Sequence, residues 1–241
     1  MLCKHSYNLD VKLSQCDFSG KLGIAQCFDL FSDASTRHTD LLGIGLNELH
    51  KDGRFWMVTK TVIKINRMPA LSDDVTLCTW PSKPSHITYE RNYTVKSGEE
   101  LLVCGKSEWS CISFDTGKFS RLNSLFSSEY EYPEEKAVPE AFEKIEDEGF
   151  SEEPFAKHLI CLTDLDMNRH MNNARYAYAV MDTFSSEELK AHPIKSVEIL
   201  YKAQAKEGDV LEFTKRNNED GSLDIRAKVG QTVVMDARIR R

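Results

Sequence analysis

Several signatures that would settle the class of this 241-residue chain at once are missing. Its seven cysteines stand at positions 3, 16, 27, 78, 104, 111 and 161 and form no C-x-x-C pair, which argues against a zinc ribbon or a thioredoxin-like site. Most lie in apolar runs such as "LLVCG", where a reduced thiol packs as a small hydrophobe; Cys161 is read the same way, as strand packing. No run approaches the ~20 apolar residues that span a bilayer. The opening "MLCKHSYNLDVKL" has neither the apolar core of a signal peptide nor the Arg- and Ser-rich character of a transit peptide, so the expected location is the cytoplasm. A basic stripe interleaved with aromatics is also missing, and no nucleic-acid partner is expected. The seven histidines are dispersed, so no metal set is expected, and no cofactor either.

What is present describes a globular protein with 41% apolar and 29% charged residues, long enough for one large core or two modest ones. The formal net charge of −7 is unevenly spread. Residues 127–154, "SSEYEYPEEKAVPEAFEKIEDEGFSEEP", hold eleven acids and two bases, so removing their net −9 leaves +2 elsewhere. With three prolines, this stretch reads as an acidic linker, and "PEAFEKIEDEGF" within it as a short helix.

The stretches flanking the linker follow one order of events. Aligning Asp17 with Asp166 also aligns Asp33 with Asp182. "VIKINRMPALSDDV" (62–75) matches "VEILYKAQAKEGDV" (197–210), and "VKSGEELLVCGKSEW" resembles "AKVGQTVVMDARIRR". Three matches in the same order indicate an internal duplication. Each copy opens with one helix. Ile24, Cys27, Phe28 and Phe31 make an apolar stripe in the first, and Ala174, Ala177, Met181 and Phe184 in the second. "TDLLGIGLNELHKDG" is read as extending the first helix to Gly53. Four runs rich in β-branched and aromatic residues follow each helix, giving an α+β protein of two similar modules.

One stretch is chemically unusual. "DLDMNRHMNNARYAYAVMD" (164–182) gathers Asp, Asn and His at a predicted helix start. Such residues also make ordinary turns and caps. In the first copy, however, Ser19 stands for Asn168, Lys21 for His170 and Pro69 for Gln204, while only Asp17 matches. A mere turn would have kept the set in both copies, which favours a site.

The pattern Asp166, Asn168, His170, Asn172, Asn173 and Tyr176 resembles the D-x-N-x-H-x-N-N-x-x-Y signature of the acyl-acyl carrier protein thioesterases. The resemblance implies two tandem hot-dog modules, each a long helix wrapped by an antiparallel sheet, forming a pseudo-dimer. The modules would be residues 1–126, binding the acyl chain, and 155–241, carrying the catalytic motif, with 127–154 between them. It implies hydrolysis of acyl-acyl carrier protein to free fatty acid. An acyl-CoA thioesterase, a hot-dog enoyl hydratase or dehydratase, and a non-catalytic acyl-binding module are the alternatives. Family members often carry Glu, and the plant ones a following Cys, where this chain has Gln204 and Ala205. A thiol nucleophile is therefore missing there, and Gln204 can hold water without accepting its proton.

Asp166 is the expected water-activating carboxylate, Asn168 the group that fixes water or carbonyl, and His170 a base or relay. Backbone amides of Asn172, Asn173 and Ala174 at the helix start are candidate oxyanion donors. Ile24, Phe28 and Phe31 are placed near the acyl chain. An acidic acyl carrier protein is the expected partner, with Lys60, Lys64, Arg67, Arg238, Arg240 and Arg241 as candidate docking bases. Membrane insertion is not expected, and a homodimer is compatible with the reading.

Overall fold

The computed structural model describes residues 3–122, 125–127 and 129–241. Residues 1–23 with 29–140 form one compact unit, and residues 24–28 with 141–241 another. The first unit contains β1 (His5–Leu9), a 3-10 turn (Leu13–Gln15), most of α1 (Ile24–Leu41), α2 (Leu46–Lys51), β2 (Arg54–Ile65), β3 (Val75–Pro81), β4 (Thr88–Ser97) and β5 (Glu100–Ser113). Its strands are antiparallel in the order β1-β3-β4-β5-β2. The second contains β6 (Ala156–Leu159), a 3-10 turn (Leu162–Asp164), α3 (Asn173–Met181), α4 (Ser186–Ala191), β7 (Ser196–Tyr201), β8 (Val210–Asn217), β9 (Leu223–Val229) and β10 (Thr232–Arg240). There the antiparallel order is β7-β10-β9-β8-β6.

The repeat is visible at matching turns. The β4–β5 and β9–β10 hairpins each turn on a glycine in the left-handed region, Gly98 (φ 55°) and Gly230 (φ 57°). Glycine adopts that conformation without a Cβ clash. A different glycine sets the depth of α1 on its sheet. A Cβ at Gly105 would stand 2.5 Å from the Phe31 ring and 2.6 Å from the Val62 carbonyl oxygen. Its absence lets Phe31 stack on Tyr93 with ring centroids 4.2 Å apart.

Three helical expectations need correction. The first helix stops at Leu41 and restarts as α2, because Gly43 (φ 69°) turns the chain between them. In the second unit α3 is only nine residues long. Ser185 then caps a separate α4, accepting the Glu188 amide at 3.1 Å, so Phe184 lies outside the α3 stripe.

Residues 139–150 form no helix. The acidic segment is a strap whose polar groups are claimed by the sheets. In the first unit the Ala137 amide donates to Asn92 Oδ1 (3.0 Å), and the buried Lys106 ammonium donates to the Glu140 carbonyl (2.7 Å) and to Glu90 (2.9 Å). In the second, the Glu143 carboxylate accepts from Arg238 (2.6 Å) and Arg240 (2.8 Å), while Asp147 accepts from Arg226 (2.8 Å). Beneath them, Asp224 and Asp236 are fully buried. Arg238 and Arg216 hold the first, and Arg226 and Lys202 the second. A helix over residues 139–150 would have spent the Glu140 carbonyl on its own ladder, leaving one bond fewer for the Lys106 ammonium.

Burial alone would raise the Glu143 carboxyl, but hydrogen bonds from Arg240 and Arg238 outweigh it and hold the group below the usual range. A depressed carboxyl contributes stability above its unfolded pKa, and the contribution is lost as pH falls through the folded value. Glu143→Gln is therefore expected to destabilise the protein at pH 7 by about 1 kcal/mol, the size left after solvent screening. In denaturant melts the gap from the parent should close below about pH 4. A gap that stays constant across pH would remove the carboxylate from the account.

Candidate active site

The chemically unusual stretch forms a tight reversal between the second 3-10 turn and α3. Asp166 Oδ1 accepts the backbone amides of Asn168 (2.8 Å) and His170 (3.1 Å), and the Asp166 amide donates to the His170 carbonyl (2.8 Å). The chain then leaves through Met171, whose amide donates to the Ala205 carbonyl (2.9 Å). Asn172 caps α3, its side chain accepting the Ala174 amide at 2.9 Å.

The first unit builds the same reversal. Asp17 Oδ1 accepts the Ser19 amide (2.8 Å), the Asp17 amide donates to the Lys21 carbonyl (2.7 Å), and the Leu22 amide donates to the Pro69 carbonyl (2.8 Å). One function of Asp166 is therefore to hold a turn. Both bonds to its side chain fall on Oδ1, and among the described residues none bonds Oδ2.

These pairings also shift the repeat by one residue. Pro69 corresponds to Ala205, so Gln204 corresponds to Met68 and not to Pro69. Downstream, the Asp73 carboxylate takes the Ala70 amide (2.9 Å) as Asp209 takes that of Lys206 (2.8 Å).

The structure brings together His170 and the backbone of Gln204–Lys206 through the bridge between His170 and Lys206. His170 is half-buried, whereas Asn168 and Gln204 are exposed. The three proposed backbone donors differ. The Asn172 amide is spent on the Asp164 carbonyl (2.8 Å) and that of Ala174 on the Asn172 side chain, so neither is an oxyanion donor. Asn173 stands at the first helical position, and among the described residues its amide alone of the three has no acceptor. Its carbonyl anchors the helix start to the sheet, accepting the Tyr201 hydroxyl at 3.0 Å. Tyr176, at the end of the motif, is buried against the Tyr201 ring, and burial pushes its phenol up to about 12.

Two features escaped the sequence. Arg169 has φ 61° and is the one non-glycine residue with positive φ among the described residues; its first-unit counterpart is Gly20 (φ 72°). His158 Nε2 lies 3.0 Å from Asp164 Oδ2, which also accepts the Cys161 amide (2.9 Å). The spacing of His158 and Asp164 across a predicted turn was the available signal. Cys161 itself is exposed ahead of that turn, so it is not strand packing. The acyl-chain candidates do not share one environment. Phe31 is packed on Tyr93 in the first unit, while Ile24 and Phe28 belong to the segment grouped with the second.

Comparison with known proteins places this geometry. A family model described as the acyl-ACP thioesterase N-terminal domain matches residues 3–130, and the C-terminal domain model matches residues 150–239. The chain belongs to the acyl-ACP thioesterase family. It is 26% identical over 173 residues to an oleoyl-acyl carrier protein thioesterase of Coriandrum sativum, covering 65% of this chain and 46% of the relative. A second oleoyl-acyl carrier protein thioesterase, from Arabidopsis thaliana, is 27% identical over 197 residues, covering 73% of this chain and 52% of that one. The chain thus spans about half the length of the curated relatives it matches. The crystal structure of an acyl-ACP thioesterase from Bacteroides thetaiotaomicron superposes with a TM-score of 0.84 at 22% identity, covering 98% of this chain and 96% of that one. That likeness establishes the tandem hot-dog fold.

The candidate docking bases of this family member are already engaged. Lys60 pairs with Glu108, Lys64 with Glu140, and Arg67 with Asp73 and Glu100. Arg238 pairs with Asp224 and Glu143, Arg240 with Glu143 and Asp220, and Arg241 with Glu188. They form no unneutralised patch. Among the described residues no helix is long and apolar enough to cross a membrane, and no group of three metal-binding side chains occurs.

The shared turn generates a paired test. Asp17→Ala and Asp166→Ala are each expected to cost about 1 kcal/mol of stability, since each removes acceptors for turn amides. Chemical denaturation measures both. A cost confined to one of them would show that the two turns are not equivalent.

Proposed function

We propose that this chain hydrolyses the thioester of an acyl-acyl carrier protein, releasing free fatty acid. The observation that carries the reading is the polar set Asn168, His170, Asn172 and Asn173, mounted on a turn whose other copy lacks it. Membership of the acyl-ACP thioesterase family supports the same reading. The names of its relatives point to acyl carrier substrates. The seven free cysteines suit a reducing, cytoplasmic setting.

The residues divide the chemistry among them. Asp166 keeps its turn through Oδ1 and offers Oδ2 to a water. His170 stands at the end of the same turn as the second group able to take or relay the proton. Asn168 orients the water or the substrate carbonyl, and Gln204 is a further holder of water beside His170. The Asn173 amide, at the positive end of α3, faces the charge that develops on the thioester oxygen. Tetrahedral collapse then expels the carrier thiolate, which takes up the relayed proton. The acyl chain is assigned to the first unit, where a cavity of about 1270 Å³ is lined in part by Tyr89, Phe126, Tyr130 and Tyr132.

His170→Ala tests the assignment. Turnover of an acyl-carrier substrate, followed as released thiol, should fall by about 10²- to 10⁴-fold with the fold unchanged by circular dichroism. Near-parent rates would remove His170 from the chemistry. A parent enzyme that prefers the matching acyl-CoA would replace the carrier by CoA.

A further inference from the structure

The interior of the first unit holds a charge that no carboxylate neutralises among the described residues. Arg91, on β4, is 0% exposed. Its Nη1 donates to His38 Nδ1 (2.9 Å) and lies 3.4 Å from Thr79 Oγ1, while Nε and Nη2 make no close hydrogen bond among the described residues. His38 is itself neutral, because burial, the Arg91 charge and His5 together push its pKa down to about 3. No described carboxylate pairs with Arg91, although the other guanidinium groups nearly sealed from solvent, such as Arg226, have one.

Among the described residues the buried hydroxyls of Tyr7 and Tyr89 make no close hydrogen bond, and that of Tyr89 faces the Arg91 guanidinium at longer range. The Arg91 guanidinium lies 5.7 Å from the centre of the Tyr89 ring. Tyr89 is also part of the wall of the 1270 Å³ cavity, while Arg91 itself is sealed from solvent and is not among the lining residues. A plain alkyl chain would leave all these donors unmet. Buried donors without acceptors are costly, and a guanidinium with two adjacent N–H groups unused matches the two oxygens of a carboxylate.

We propose that Arg91 and Tyr89 form an interior subsite for the carboxylate of an alkyl chain. Two sources carry that group: the distal carboxylate of an ω-carboxyacyl substrate, and a released fatty acid bound by its head. The proposal takes the assignment of the acyl cavity to the first unit from the proposed function, but its test reads binding, so failure of hydrolysis leaves it standing.

Calorimetric titration with octanoate and with octanol, which share a tail and differ in the head, decides it. The parent protein should bind octanoate at least about tenfold more tightly. Arg91→Met should reduce that preference to within about threefold. If Arg91→Met does not fold, Tyr89→Phe decides, with octanoate weakened several-fold and octanol unchanged. Equal affinities in the parent would overturn the subsite, as would a preference that survives in the folded variants.

The sources separate kinetically. A substrate role predicts a higher kcat/KM for an ω-carboxyacyl thioester than for the plain acyl thioester of equal length, lost in Arg91→Met. A product role predicts inhibition of the parent by octanoate that the variant escapes. Neither effect, with binding at Arg91 demonstrated to be absent, would overturn both.

Discussion

An aspartate carboxylate accepting amides of its own turn is the interaction from which the candidate site is built. Asp17 and Asp166 each do this just ahead of a helix. The turn fixes where the helix begins and holds the outgoing chain against a loop carbonyl, that of Pro69 in one unit and Ala205 in the other. Duplication thus supplied two equivalent places at which side chains can be displayed beside a helix N-terminus. Only one carries the polar set Asn168, His170, Asn172 and Asn173.

The polar copy of the turn has a structural cost that the plain copy does not bear. Gly20 occupies its left-handed position without strain, whereas Arg169 holds a side chain where glycine is the easy choice. Backbone strain of this kind is tolerated where the surrounding contacts over-determine it, and such places cluster at functional sites. Replacing Gly23 by Asn at the equivalent cap position has the opposite effect. Asn172 satisfies the Ala174 amide and leaves the Asn173 amide as the uncommitted donor. The cap therefore both stabilises α3 and determines which amide at the helix start stays open.

Much of the fold was legible because its signals are local. The eight long strands were visible as β-branched and aromatic runs, and the repeat as three ordered matches. The edge strands β1 and β6 were not, since "HSYNL" and "AKHL" are short and polar and are held in place only by pairing with β3 and β8. The helix expected within the acidic segment does not form, and its contacts were not foreseen because its proline and charge content is that of a solvated segment. Its real partners, Lys106, Arg226, Arg238 and Arg240, lie far away in sequence. For the same reason, bases that looked available for a partner turned out to be paired. Polar identity at the site was readable, but which amide stays open was not, because that depends on where Asn172 places its oxygen.

The central claim is that Asp166 serves both as a turn former and as a charged reactant, and Asp166→Asn separates the two. Asparagine keeps the Oδ1 acceptor for the amides of Asn168 and His170 but cannot take a proton from water. The decisive measurement is the turnover number of Asp166→Asn on an acyl-carrier thioester, taken alongside its denaturation midpoint. The account predicts parent-like stability with turnover lowered by about 10²- to 10⁴-fold. Parent-like stability with parent-like turnover would contradict it and leave Asp166 as nothing more than the second copy of Asp17.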